Sequence, residues 1–113
     1  MAEIPGPYEI LEIADGESID FRVAYFEEGT MIIHPTWPGA PETKEVDGLR
    51  IYVVPGDKEW LPNYWDVTAG HLVAGLRPLL PTLVVTEKRV TITAGLMRPG
   101  KPASKRFKIT WEE

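Results

Sequence analysis

Asp66-Val-Thr-Ala-Gly-His-Leu-Val-Ala-Gly-Leu-Arg77 is the stretch on which the reading of the fold turns. Ala69, Leu72, Val73 and Leu76 recur at spacings of three and four, the apolar stripe of an amphipathic helix. Asp66 or Thr68 can cap the free N–H groups of a first turn, and Pro78 ends the helix by pushing Arg77 out of helical geometry. Gly70 and Gly75 each cost about 1 kcal/mol of helix propensity relative to Ala, so packing must hold this helix. Residues that small also permit close approach to a sheet.

The rest of the chain reads as strands. Tyr8 to Ile13 is an apolar run closed by the turn residues Ala14-Asp15-Gly16-Glu17. In the next run Ile19, Phe21, Val23 and Tyr25 share one face and Asp20, Arg22 and Glu27 fall mostly on the other, the period of a half-buried strand. Glu27-Glu28-Gly29 reads as a second turn before a short strand at Thr30 to His34. Pro35, Pro38 and Pro41 then forbid a ladder and mark a loop around Trp37. Leu49 to Val54 is a further strand, and Lys58 to Trp65 is an aromatic loop. After the helix come a short strand or strand lead-in at Leu83 to Val85, a strand at Val90 to Leu96, and a last one carrying Phe107, Ile109 and Trp111.

This order predicts a mostly β, α+β chain: a small antiparallel barrel of five to six strands, with one helix between the third or fourth strand and the last two. That layout is OB-like, an analogy of element order only. An open sheet packed on one helix is the other arrangement. At 113 residues, of which 43% are hydrophobic, one core and one domain spanning 1–113 are expected, with 1–7 as an extended lead-in and 97–105 as a projecting hairpin loop.

Composition narrows the chemistry. With no cysteine, disulfides and thiolate sites are excluded. No window approaches the roughly 18 apolar residues of a membrane span, and Met1 to Pro7 lacks a basic, then apolar, leader, so a cytoplasmic protein with no membrane partner is expected. No Gln, a single Asn (Asn63) and eleven Pro follow the trend of heat-adapted, thermophile proteins.

Charge is unevenly placed. Residues 1–57 hold twelve acids against three bases, and residues 58–113 hold nine bases against five acids. Between Lys88 and Lys108 there are seven basic residues and no acid, a field that attracts anions. Single-stranded nucleic acid needs cations for its phosphates and aromatic faces for its bases. The candidates are Arg89, Arg98, Lys101, Lys105, Arg106 and Lys108 for the former, and Trp37, Trp60 and Tyr64 for the latter.

Each has a plainer reading. A basic hairpin blunts a sheet edge against aggregation, and the Trp60 to Trp65 loop can fold back as a lid, with Trp65 in the core. Phe107 and Trp111, in phase with Ile109, are expected in the core as well. Catalytic signatures are absent. His34 and His71 stand 37 positions apart in no ligand spacing, so a site joining them to Asp66 is a minor reading, and no nucleophile elbow or phosphate loop occurs. The expectation is a non-enzymatic nucleic-acid-binding protein without cofactor or metal. The alternative is a protein-interaction or assembly module, in which the acidic face of one molecule docks on the basic hairpin of another or of a protein partner.

Overall fold

A computed structural model describes residues 3–14, 16–35, 38–95 and 107–112. The strands are β1 (Ser18–Ile33), β2 (Lys44–Val53), β3 (Tyr64–Val67), β4 (Arg89–Ala94) and β5 (Phe107–Trp111), with α1 (Gly70–Leu76) and α2 (Leu80–Thr86) between β3 and β4. The strands form one antiparallel sheet in the order β3-β2-β1-β4-β5. Its end strands, β3 and β5, do not pair with each other, so the sheet is open and the expected barrel is not closed.

β1 organises the sheet because it is long enough to serve two partners. Its first part, Ser18 to Arg22, pairs with β4, and the remainder, from Val23 to Ile33, pairs with β2. The register shifts between Val23 and Tyr25, where one extra residue bends the strand. That bulge resets the alternation. Phe21 and Val23 are fully buried, as their period requires, but Phe26 takes the next core position and Tyr25 turns out to solvent, 58% exposed. The turn expected at Glu27-Glu28-Gly29 is absent: these residues lie inside β1 opposite Arg50, Leu49 and Gly48, because a continuous partner strand outweighs a local turn signal.

The N-terminal segment is no strand of the sheet. Pro5 and Pro7 lack the N–H groups a ladder needs, and the segment makes only isolated parallel bridges, Glu3 with Thr30 and Ile10 with Asp66. It acts as a strap over the outer face of β1–β3. Ile4 donates to the Thr30 carbonyl at 2.7 Å, Leu11 donates to the Asp66 carbonyl at 2.9 Å, and Asp66 donates back to the Glu9 carbonyl at 2.7 Å.

Two further expectations give way. α1 starts at Gly70, with Ala69 at its N-cap and no side-chain cap, since Asp66 lies in β3 and is engaged there. Leu83 to Val85 lies in α2 rather than a strand: Pro81 sits in its first turn, and Leu80 and Leu83, one turn apart, are both buried. On β4 the reading holds, with Val90, Ile92 and Ala94 fully buried. On β5 it holds only in the middle. Ile109 packs against α1 so closely that a Cβ on Gly75 would come within 2.8 Å of its Cδ1, whereas Phe107 is half-buried and Trp111 is 47% exposed because the strand is the sheet's edge.

Gly48 is a close-approach position: an added Cβ would lie 2.9 Å from Met31 Sδ and 3.1 Å from the Val67 carbonyl oxygen. Backbone cannot yield as a side-chain tip does. Gly48→Ala should therefore destabilise by about 1–3 kcal/mol, seen as a lower urea midpoint with an unchanged slope.

Candidate functional site

The outer face of β1–β3 is built around a buried ion pair. Arg50 and Asp66 are cross-strand neighbours on β2 and β3, and their residues are 6% and 0% exposed. Arg50 Nε donates to Asp66 Oδ1 at 2.8 Å and Nη2 to Oδ2 at 3.2 Å. Nη2 also reaches the carbonyls of Pro5 at 2.9 Å and Pro7 at 3.2 Å, while the Glu9 amide donates to Asp66 Oδ2 at 2.8 Å. Burial weighs against the Arg50 cation, but the hydrogen bond and charge of Asp66 outweigh it and hold its pKa above the ordinary value. The guanidinium lies 4.1 Å from the centre of the Tyr64 ring, and the Tyr64 hydroxyl donates to the Pro7 carbonyl.

Across this face runs a row of tyrosines, one from each strand. Tyr25, Tyr52 and Tyr64 occupy matching register positions on β1, β2 and β3. Their ring centres are 5.9 Å apart for Tyr25 and Tyr52 and 5.6 Å for Tyr52 and Tyr64. Tyr25 is the exposed end of the row, and Tyr52 and Tyr64 are half-buried. Tyr64 was a candidate from the sequence; Tyr25 and Tyr52 were not. Only the bulge, which leaves no clear trace in the residue pattern, brings Tyr25 onto this face.

The other candidates are scattered. Trp60 is 52% exposed, but its Nε1–H donates to Glu9 Oε1 at 2.9 Å and its ring packs edge-on against the buried Trp65. Between them lies the buried Lys58, its Nζ 4.4 Å from the Trp65 ring centre and bonded to the carbonyls of Trp60 and Pro62. That corner is a structural plug, and Trp65 is a core residue as expected. Arg89 meets three carboxylates: Asp20 at 3.1 Å, Glu112 at 3.7 Å and Asp57 at 4.0 Å. Lys108 is exposed on β5. Trp37, Arg98, Lys101, Lys105 and Arg106 lie outside the described residues.

His34 and His71 are both exposed, and no group of three His, Cys, Asp or Glu among the described residues could hold a metal ion. No described helix is long and apolar enough to cross a membrane. A cleft of about 590 Å³ separates Leu11 to Ala14 from Phe107, and a second of about 360 Å³ is lined by Glu9, Glu12, Glu17 and Trp60. Both carry carboxylates and are unsuited to an anion. Comparison with known protein families, curated proteins and solved structures found no match.

Two predictions follow from the charges. Removing one member of a buried pair strands the other. Arg50→Met should lower stability by about 3–5 kcal/mol and speed hydrogen exchange at the Leu11 amide, while Arg50→Met with Asp66→Leu should recover much of the loss in the same urea titration. The second concerns Asp57, whose carboxyl is held below its ordinary range by hydrogen bonds from the Arg22 side chain, at 3.0 Å and 3.1 Å, against the opposing effect of burial. A depressed carboxyl pKa contributes stability above the unfolded value of about 3.9 and loses it as pH falls through the folded value. Urea midpoints from about pH 4 downward should accordingly fall less steeply in Asp57→Asn than in the wild type.

Proposed function

We propose that this chain is a non-enzymatic domain that binds single-stranded nucleic acid on the outer face of β1–β3. The observation that carries the proposal is the tyrosine row Tyr25–Tyr52–Tyr64. Base stacking on aromatic side chains contributes about 1–3 kcal/mol per base and tolerates any sequence, because every base has a π-face. Tyr25 offers the open ring, Tyr52 the next position, and Tyr64 is held in place by Arg50 and Pro7. Prealigned rings lose little freedom when a base arrives.

The element order supports the same face. Strands in the order β3-β2-β1-β4-β5, with helices between β3 and β4, follow the order of an OB barrel left unclosed. Domains of that layout grip oligonucleotides on the face of strands 2 and 3 and with the loop joining strands 4 and 5. Here that loop contains Arg98, Lys101, Lys105 and Arg106 in sequence. In this reading they and Lys108 meet phosphates while the tyrosines stack bases. Arg89, already facing Asp20, Glu112 and Asp57, holds β1 and β4 together instead.

The test is fluorescence anisotropy with labelled single-stranded DNA, single-stranded RNA and duplex DNA across a salt series. Tyr25→Ala should weaken single-strand binding about 5- to 150-fold and leave the salt dependence alone. The triple change Lys101→Ala, Lys105→Ala and Arg106→Ala should instead reduce the slope of log K against log salt by about 2. Equal affinity in Tyr25→Ala removes the tyrosine row from the proposal, and no binding of any strand at low salt ends it.

A further inference from the structure

The two edges of the sheet are treated differently. β3's outer edge is covered by the strap, through the hydrogen bonds of Glu9 and Leu11 with Asp66. β5's outer edge pairs with no described segment. An unpaired edge is a template for another strand, and this one is complementary to itself. We infer that β5 pairs antiparallel with β5 of a second copy, about a two-fold axis at Ile109, joining two five-stranded sheets into one. The inference is independent of the nucleic-acid reading.

The hydrogen-bonding pattern sets the register. The Glu112 amide donates to the Arg89 carbonyl at 3.0 Å, so the pairs of β5 with β4 that exchange hydrogen bonds continue at Thr110 with Thr91 and at Lys108 with Thr93. The backbone groups of Phe107, Ile109 and Trp111 therefore point away from β4. A two-fold axis at Ile109 sets Ile109 against its own copy and Phe107 against the second copy's Trp111, each pair exchanging both bonds. Every outward group of the strand is thereby satisfied.

Side chains agree with that register. Phe107 and Trp111, each incompletely buried at the edge, become a cross-strand aromatic pair beside the cleft that Phe107 lines with Leu11 and Ile13. Lys108 faces the second copy's Thr110 and not its own counterpart, so like charges do not oppose. In sequence, Lys105 and Arg106 precede the strand while Glu112 and Glu113 follow it. Antiparallel pairing directs the basic end of each copy to the acidic end of the other. No parallel or shifted alignment gives both that charge match and the aromatic pair.

The cysteine-free chain makes a clean crosslinking test. Lys108 and Thr110 of opposite copies form a non-hydrogen-bonded pair, with Cα atoms about 4.5 Å apart, within the range a disulfide spans. Lys108→Cys and Thr110→Cys proteins, one carrying a mass tag, are mixed and oxidised mildly. The mixed disulfide should exceed either homodisulfide several-fold. Trp111→Pro removes one outward N–H and no bond to β4, so it should shift the mass by light scattering from dimer to monomer with its circular dichroism retained. Equal crosslinking in every pairing, a dimer unchanged by Trp111→Pro, or a monomer at every concentration overturns the inference.

Discussion

The Arg50–Asp66 pair is the constraint from which the architecture of the outer face follows. A charge pair taken out of water loses several kcal/mol of hydration per ion, and attraction offsets this only when the remaining donors and acceptors are filled. The strap supplies what is missing. Pro5 and Pro7 turn their carbonyl oxygens to the guanidinium as acceptors, and Glu9 contributes an amide donor to Asp66. The pair thus requires the strap, and the strap is ordered by the pair. Beneath it Ile4 and Met31 are buried apart from the main core, as a second small apolar layer on the opposite face of the sheet.

The same interaction accounts for the open sheet. Closing this sheet would require β3 and β5 to share an edge. At Asp66 that edge already bonds to Glu9 and Leu11, so β3 has no free backbone groups there to offer. Leu11 to Ala14 then faces Phe107 across a cleft rather than through a ladder. The expectation of a barrel counted Tyr8 to Ile13 as its first strand. In the fold that segment guards the far edge, and the long β1 takes the place of two expected strands. Register is fixed along with it, because a one-residue slip of β2 against β3 would part Arg50 from Asp66 and bury each charge alone.

What the residue pattern revealed was local periodicity, and it succeeded where one face alone decides burial. β4, the apolar stripe of α1 and the core position of Trp65 were legible, whereas β3 (Tyr64–Val67) was read as the end of an aromatic loop and the cap of the helix. The failures share a cause, since in each a long-range partner outweighed a short-range signal. Glu27-Glu28-Gly29 is a good turn sequence that lies in a strand because β2 runs beside it. Asp66 is a good helix cap that has a cation across the ladder. Val84 and Val85 favour strands, yet Leu80 and Leu83 have a core to fill at helical spacing. The tyrosine row was hidden for a subtler reason: alternation assigned Tyr25 to the core, and a single bulged residue moved it to the surface.

Charge is also sorted by the fold. Read along the chain, acids gather in the first half and bases in the second; in space the two are interleaved. Lys58 meets Glu9, Arg77 meets Glu28 at 3.2 Å, and Arg89 meets Asp20 and Asp57. Each of these contacts ties a base of the second half to an acid of the first, so much of the apparent polarity is consumed in holding the domain together. Among the described residues Lys88 and Lys108 of the second half make no ion pair. Arg89 on β4 is neutralised by its carboxylates, so it offers little to a partner that seeks positive charge. Long-range attraction depends on charge left uncompensated at the surface, not on the tally of the sequence. By that measure the clefts that carry Glu9, Glu12 and Glu17 are poor ground for an anionic partner.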